Sequence, residues 1–420
     1  MYGERRQPLG VLFSRLKNAD TATRRQVVRE LGEAGGDEAA KVLTIALRDG
    51  DRGVRDAAHW ALLSLDSRVA APLLMPVLAD EDMAVRSLAM ETLIEMGPGT
   101  VPSVIPGLTH PDGAIRELTA DILRAIGPSA ATEALIVALE DEDPGVVWSV
   151  IEALGAVGDP RAVGPLIGMF EQREDLRPVC AEAMGRIGDP SAVPTLKQGL
   201  QDRDPLCVFA AVEALGQVGD ERCVDDLIAL LENGEAVLGA PVMSALFRIS
   251  ERCGRSLWSL FQDAGTYLVA ALRSDEEDML RTYVMGELEG DHRMEAVVGL
   301  VPFFGELDRN LRERLVQTIG DIGARTHTDV LHAALSDEDL WVAYRATQAL
   351  ERVGDGRSVP PLIEMLRATN PLLRIGAARA LGAIGDRRAL EPLSSMPAED
   401  SEVCEAASHA IERIQTNAEH

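Results

Sequence analysis

Five carboxylates recur at matched places along the chain: Glu91, Asp121, Glu152, Glu182 and Glu213, spaced 30 or 31 residues apart. Trp148 stands four residues before Glu152, and Phe209 four residues before Glu213. Four residues is one helical turn, so on a helix each pair shares a face. A carboxylate beside an aromatic ring suits a lysine or arginine side chain, which gains an ion pair and a cation–π contact together. Trp60 and Tyr344 occupy equivalent places in other copies of the pattern. The chemistry implied is recognition of a cation. A second reading stands beside it: glutamate forms helices well and sits on solvated faces, so the row also fits plain duplication of a repeat.

Bond-making chemistry has less support. There is no GxxxxGK[ST] loop and no GxGxxG after a strand. None of the seven histidines precedes a glutamate, and His327 and His332 are five apart, a spacing that puts them on different sides of a helix. The expectation is no metal and no cofactor. Of the five cysteines, Cys180 and Cys207 fall at positions expected to be buried, and no CxxC pair exists.

A net charge of −27 repels phosphate and anionic lipid, so neither nucleic acid nor a membrane surface is expected as partner. The imbalance is −10 over residues 51–150 and −8 over 151–250. No apolar run reaches the length of a membrane span, and the first twenty residues lack a signal-peptide pattern; the expected compartment is the cytoplasm.

The elements that must position the row form an internal repeat. Its anchors run from Leu31, Leu62 and Leu93 to Leu381 and Ile411, thirteen in all, with eleven of twelve gaps at 30 or 31 residues. Each unit reads as two helices, A and B. We count offsets from the first buried residue of helix B. Offsets 0, 4 and 8 are apolar or small, as in Val85, Ala89 and Leu93, and make one buried face. A carboxylate three residues before offset 0 can cap helix B, as with Asp51, Asp82, Asp112, Asp143 and Asp204. Glycine four residues past the anchor closes helix B in nine units, and a following Asp, as in Asp159 or Asp189, caps the next helix A. The row of carboxylates is offset 6, a place that Trp60 takes in the second copy, and Trp148, Phe209 and Tyr344 are offset 2, both opposite the buried face. Such units cannot bury their apolar faces alone and must stack. The predicted fold is all-α, a right-handed α-solenoid of about 13 two-helix repeats.

The Asp…Val-Arg…Ala…Leu…Gly-Asp series resembles HEAT repeats, in the short form of phycobilisome-lyase-like HEAT proteins. The resemblance implies that helix B lines a concave surface. It also implies a ladder of hydrogen bonds between Asp and Arg of neighbouring repeats, with Arg24, Arg55, Arg86, Arg116, Arg177, Arg281, Arg312 and Arg374 in the Arg place. Val147, Val208, Gly239, Ala343 and Cys404 replace it elsewhere. Deoxyhypusine hydroxylase, a HEAT enzyme family, binds iron through His-Glu dyads that this chain lacks. Phycobilin lyases of the E/F type offer another enzymatic alternative, but a bilin's propionates disfavour a carboxylate stripe.

The one long gap, 42 residues between Leu246 and Leu288, divides the chain into repeats 1–8 (residues 1–250), an insertion (251–274) and repeats 9–13 (275–420). The insertion carries Trp258, Phe261 and Tyr267, which read either as core filling an irregular joint or as a docking knob. Taken together, the sequence reads as a non-enzymatic bacterial adaptor. Its acidic face, built from Trp60, Glu91, Asp121, Trp148, Glu152, Glu182, Phe209, Glu213 and Tyr344, receives a basic or amphipathic segment of a partner protein.

Overall fold

A computed structural model describes residues 9–232, 238–260, 264–272, 278–396 and 401–417. Among these residues every regular element is helical, as the period demands. The chain divides into two compact units, Met1–Gly219 and Asp220–His420, each a stack of two-helix repeats. The helices B of the first unit are α1 (Thr21–Ala34), α2 (Arg52–Leu63), α3 (Met83–Glu95), α4 (Gly113–Ile126), α5 (Pro144–Val157), α6 (Arg177–Ile187) and α7 (Pro205–Val218). The second unit contributes α8 (Gly239–Cys253), the short α9 (Leu257–Leu260) and α10 (Ala264–Leu272), then α11 (Asp278–Glu289), α12 (Arg309–Ile322), α13 (Leu340–Val353), α14 (Pro371–Ile384) and α15 (Ser401–Asn417). Helices A precede them, for example Val163–Gln172 ahead of α6.

Local sequence explains where the helices begin and end. The side chains of Asp51, Asp82, Asp112, Asp143, Asp204 and Asp308 each accept a backbone N–H of the first turn. Asn370 does the same at α14. Asp159, Asp189, Asp220, Asp355 and Asp386 cap the turn that opens the following helix A, as expected from GD. Glycines such as Gly127, Gly158, Gly188 and Gly385 close helices B with φ between 66° and 77°. Gly219 departs from this expectation: its φ is −68° and the backbone there is extended.

The Asp–Arg ladder exists, and at most of its rungs the acid is not the capping one; Arg281 is the exception, donating to the cap Asp308 at 3.1 Å. Arg116 donates to Asp141 of the next repeat at 2.6 and 2.8 Å and to the His110 carbonyl at 2.9 Å. Arg24 grips Asp49 at 2.8 and 2.9 Å, and Arg312 grips Asp337 at 2.8 and 3.0 Å. Each of these acceptors lies two residues before the cap and takes the cap's own N–H, as Asp141 does from Asp143 at 2.9 Å. The Asp-x-Asp pairs therefore divide their labour: the second carboxylate caps the helix and the first binds the neighbouring repeat's arginine. Where the arginine is missing, at Val147 and Ala343, the residue 25 positions on is Gln172 and Ala368, so no ladder carboxylate is stranded.

Five joints close on the smallest side chains. A Cβ on Gly155 would lie 2.9 Å from Ala183 Cα, and one on Gly185 only 2.7 Å from Ala214 Cα. Gly32 meets Ala61, Gly320 meets Ala349 and Gly382 meets Ala410 in the same way. The glycine is at offset 9, the alanine at offset 7 of the next repeat. Such contacts draw adjacent helices B to the short end of the usual 8–10 Å spacing.

Candidate binding face

Offset 6 precedes the alanine of each close joint by one residue, so Glu182 and Glu213 of the carboxylate row sit at the lip of the closest helix–helix approach. Glu91 and Glu182 are exposed; Asp121, Glu152 and Glu213 are half-buried. Two members have cations on their own helix. Asp121 pairs with Arg124 at 3.3 Å, and Glu182 pairs with Arg186 one turn away. Among the described residues Glu91 and Glu152 have no such partner. The aromatic rings remain outside: Trp148 is 44% exposed, Phe209 46% and Trp60 66%. That is uncommon for rings of this size, which usually bury most of their surface. Trp60 stands edge-on to the buried His59, with centroids 5.1 Å apart.

Tyr344 belongs to the other unit. It is half-buried on α13 and meets the exposed Trp341 edge-on at 6.2 Å. The structure therefore brings Asp121, Glu152, Glu182 and Glu213 together on four neighbouring helices, with Trp148 and Phe209 beside them, and places Tyr344 in a separate unit. In the insertion, Trp258 is half-buried with its ring against Gly299, where an added Cβ would meet it at 2.4 Å. Its indole N–H is buried without a hydrogen-bond partner. Tyr267 is half-buried on α10, and Phe261 lies outside the described residues.

Several groups able to do covalent chemistry are buried or engaged. Burial pushes the thiols of Cys180 and Cys207 up to about 12, so neither supplies a thiolate near neutrality. His59 is buried, with Nδ1 2.8 Å from Thr92 Oγ1 and Nε2 3.4 Å from Glu95. Because the Thr92 hydroxyl donates to the Leu88 carbonyl, Nδ1 carries the proton that it shares with Thr92. His332 Nε2 lies 2.9 Å from Ser358 Oγ. Among the described residues no three His, Cys, Asp or Glu side chains group as a metal site would require, and the histidines present do not fit an iron centre of the His-Glu type. No helix among them is long and apolar enough to cross a membrane.

Stacked two-helix repeats with apolar cores, capped starts and an Asp–Arg ladder define an α-solenoid. The profile of HEAT repeats matches residues 9–96, 101–177, 171–240, 297–368 and 328–412, most of the chain, and the protein belongs to the HEAT-repeat family. It is similar to deoxyhypusine hydroxylase from Bos taurus (30% identical over 112 residues, 26% of this chain and 37% of that protein). The Danio rerio and Homo sapiens enzymes are similar too, at 31% over 124 residues (29% of this chain, 40% of that one) and 32% over 110 residues (25% and 36%). The matches thus span about two fifths of those relatives or less. Among solved structures, human deoxyhypusine hydroxylase in complex with glycerol aligns with 79% of this chain and 99% of its own at 17% identity, with a TM-score of 0.28. A Kap95p complex with RanGDP aligns with 97% of this chain and 67% of its own at 14% identity and a TM-score of 0.48. One expectation is overturned here. The sequence was read as non-enzymatic, partly because His-Glu dyads are missing, yet the relatives that share its repeats are an enzyme by name.

Proposed function

We propose that the helix-B face of the first unit binds a basic segment of a partner protein. The observation that carries this reading is the run of carboxylates on α4–α7, two of them at the lips of Gly–Ala joints, with two exposed aromatic rings one turn away. Close helix spacing makes the run an array. Neighbouring helices stand roughly 8–10 Å apart. An extended chain advances about 3.3 Å per residue, so a strand lying across the helices presents a side chain to successive carboxylates at about every third residue. A helical partner rises only about 1.5 Å per residue and would need a repeat of about six, which its own 3.6-residue turn sends to different faces. The favoured ligand is therefore extended, with Arg or Lys three apart. Trp148 and Phe209 then stack on the guanidinium or the aliphatic stem.

The test is binding of a fluorescent peptide with three arginines spaced three apart, followed by anisotropy at fixed ionic strength. Glu152→Lys, Glu182→Lys and Glu213→Lys combined should abolish binding while the helical circular dichroism is unchanged. Undiminished binding by that variant would overturn the reading. Added salt should weaken the wild-type complex, since the pairs are partly solvent-exposed.

A further inference from the structure

The second unit contains a cleft at the same two positions that close joints elsewhere. Between α8 and α11, offset 9 is Phe247 where the five close joints have glycine, and offset 7 is Glu287 where they have alanine. These large side chains line a cleft of about 670 Å³ at the joint that carries the insertion. Its wall is the ring pair Phe247–Tyr283, with centroids 4.4 Å apart and planes at 47°. The Tyr283 hydroxyl accepts the Leu257 N–H at 3.0 Å, which fixes the ring. Offset 6 here is Gly286, so nothing fills the mouth from that side.

Among the described residues the carboxylates Glu287 and Glu251 have no counter-ion. Glu287 accepts from Ser256 Oγ at 3.0 Å, and Ser256 is itself buried. Glu287 and Glu251 both line the cleft. Arg255 at the rim is drawn to Glu221, 3.1 Å away. A half-buried carboxylate anchored by a serine, next to an aromatic pair and without its own cation, fits an external one. The volume is that of a small-molecule site.

We propose that this cleft binds an organic cation, an alkylguanidinium or alkylammonium group, with Glu287 as its ion-pair partner and Phe247–Tyr283 as the apolar wall. The site lies in a different unit from the acidic row and stands independently of it. Two probes separate the possible sources: agmatine for a free small cation, and a pentapeptide with one central arginine for a protein side chain. Each has an uncharged control, the urea isostere of agmatine and the citrulline peptide. Isothermal titration calorimetry should show saturable binding of agmatine, the peptide or both, and none for the controls. Glu287→Gln keeps the serine hydrogen bond and should weaken binding by about tenfold or more. Glu251→Gln, at an exposed position that leaves folding untouched, should weaken it less. The proposal fails if the uncharged controls bind equally, if Glu287→Gln is without effect in a folded protein, or if neither cation binds at about 10 mM.

Discussion

The joints α5–α6 and α6–α7 and the joint α8–α11 are built on one repeat and end as opposites. In the first unit, offset 9 is Gly155 or Gly185 and offset 7 of the next repeat is Ala183 or Ala214, and the helices meet backbone to backbone. In the second, Phe247 and Glu287 fill those places and the face opens into a cleft. The second joint also carries the insertion with α9 and α10, yet the buried face at offsets 0, 4 and 8 is retained in both, as in Val146, Val150 and Leu154 and in Leu280, Val284 and Leu288. The residues at offsets 9 and 7, together with the insertion, distinguish a joint that presents a continuous array of side chains from one that holds an isolated concavity. The array suits an extended ligand that touches many repeats. The concavity suits a single group.

The comparison can be broken most severely at Phe247. The ring is 6% exposed and packs on Tyr283. Phe247→Ala should destabilise the second unit by about 3–5 kcal/mol, because truncating a buried ring leaves a cavity. Urea unfolding with hydrogen exchange should place the loss in α8 and α11, since each repeat touches only its neighbours. The reverse change, Gly185→Leu, forces a side chain onto the backbone of α7 and should cost about 1–3 kcal/mol by overpacking. If both variants proved neutral, offsets 7 and 9 would not set the joint spacing.

The two regions should also fail at opposite ends of the pH scale. In the first unit, the Arg116 guanidinium holds the Asp141 carboxyl below the usual carboxylate range, and the cap N–H and Arg177 do the same for Asp202. A lowered carboxyl pKa adds stability that is present above the unfolded value of about 4 and is lost as pH falls through the folded one. The joints α4–α5 and α6–α7 should therefore loosen below about pH 4. At the cleft, burial pushes the Tyr283 phenol up to about 12. A raised pKa gives stability present below the unfolded value of about 10 and lost as pH rises through the folded one. Phenolate absorbance should show one tyrosine titrating well after the others, with near-ultraviolet dichroism lost in the same range. Phe247→Ala should bring that titration earlier. Coincident titration of every tyrosine would contradict the burial at the cleft.

Much of this was legible before any coordinates. The period, the helix pairs, the caps and the glycine stops follow from spacing and local hydrogen-bonding chemistry, and Asp51, Asp143 and Gly158 behave as their types require. The ladder was half legible. Both aspartates of Asp141-Glu142-Asp143 sit near a helix start, and only the three-dimensional register shows that Arg116 reaches the first and not the second. The close joints were written in the sequence too, as Gly155 and Ala183 or Gly185 and Ala214, but small residues inside a helix look alike whether they face solvent or a neighbouring backbone. The cleft was invisible for the complementary reason: Phe247 reads as one more core residue, and its consequence depends on what stands 40 positions away at Glu287. Activity was least legible. Repeat residues report packing, which is why the likeness to hydroxylases overturned a conclusion drawn from missing dyads.

The smallest expected effect tests whether the caps differ between the regions as the joints do. Aspartate caps every helix B of the first unit except α6, and α12 and α13 of the second, while α14 uses Asn370, whose side-chain oxygen accepts the Leu372 N–H at 2.9 Å. Asparagine and aspartate rank together as N-caps. Asn370→Asp should therefore change stability by only a few tenths of a kcal/mol, the helix dipole favouring the charge by about that much at low salt. Asn370→Ala should cost about 1 kcal/mol, because the N–H loses its acceptor. Arg374, one turn further on, donates to the Ala368 and Thr369 carbonyls at 2.9 and 3.0 Å, so the loop is tied down by a second route. That redundancy caps the loss. A cost well beyond 1 kcal/mol would mean that the asparagine orders the loop itself and that Arg374 depends on it, a coupling a double variant would expose as non-additivity.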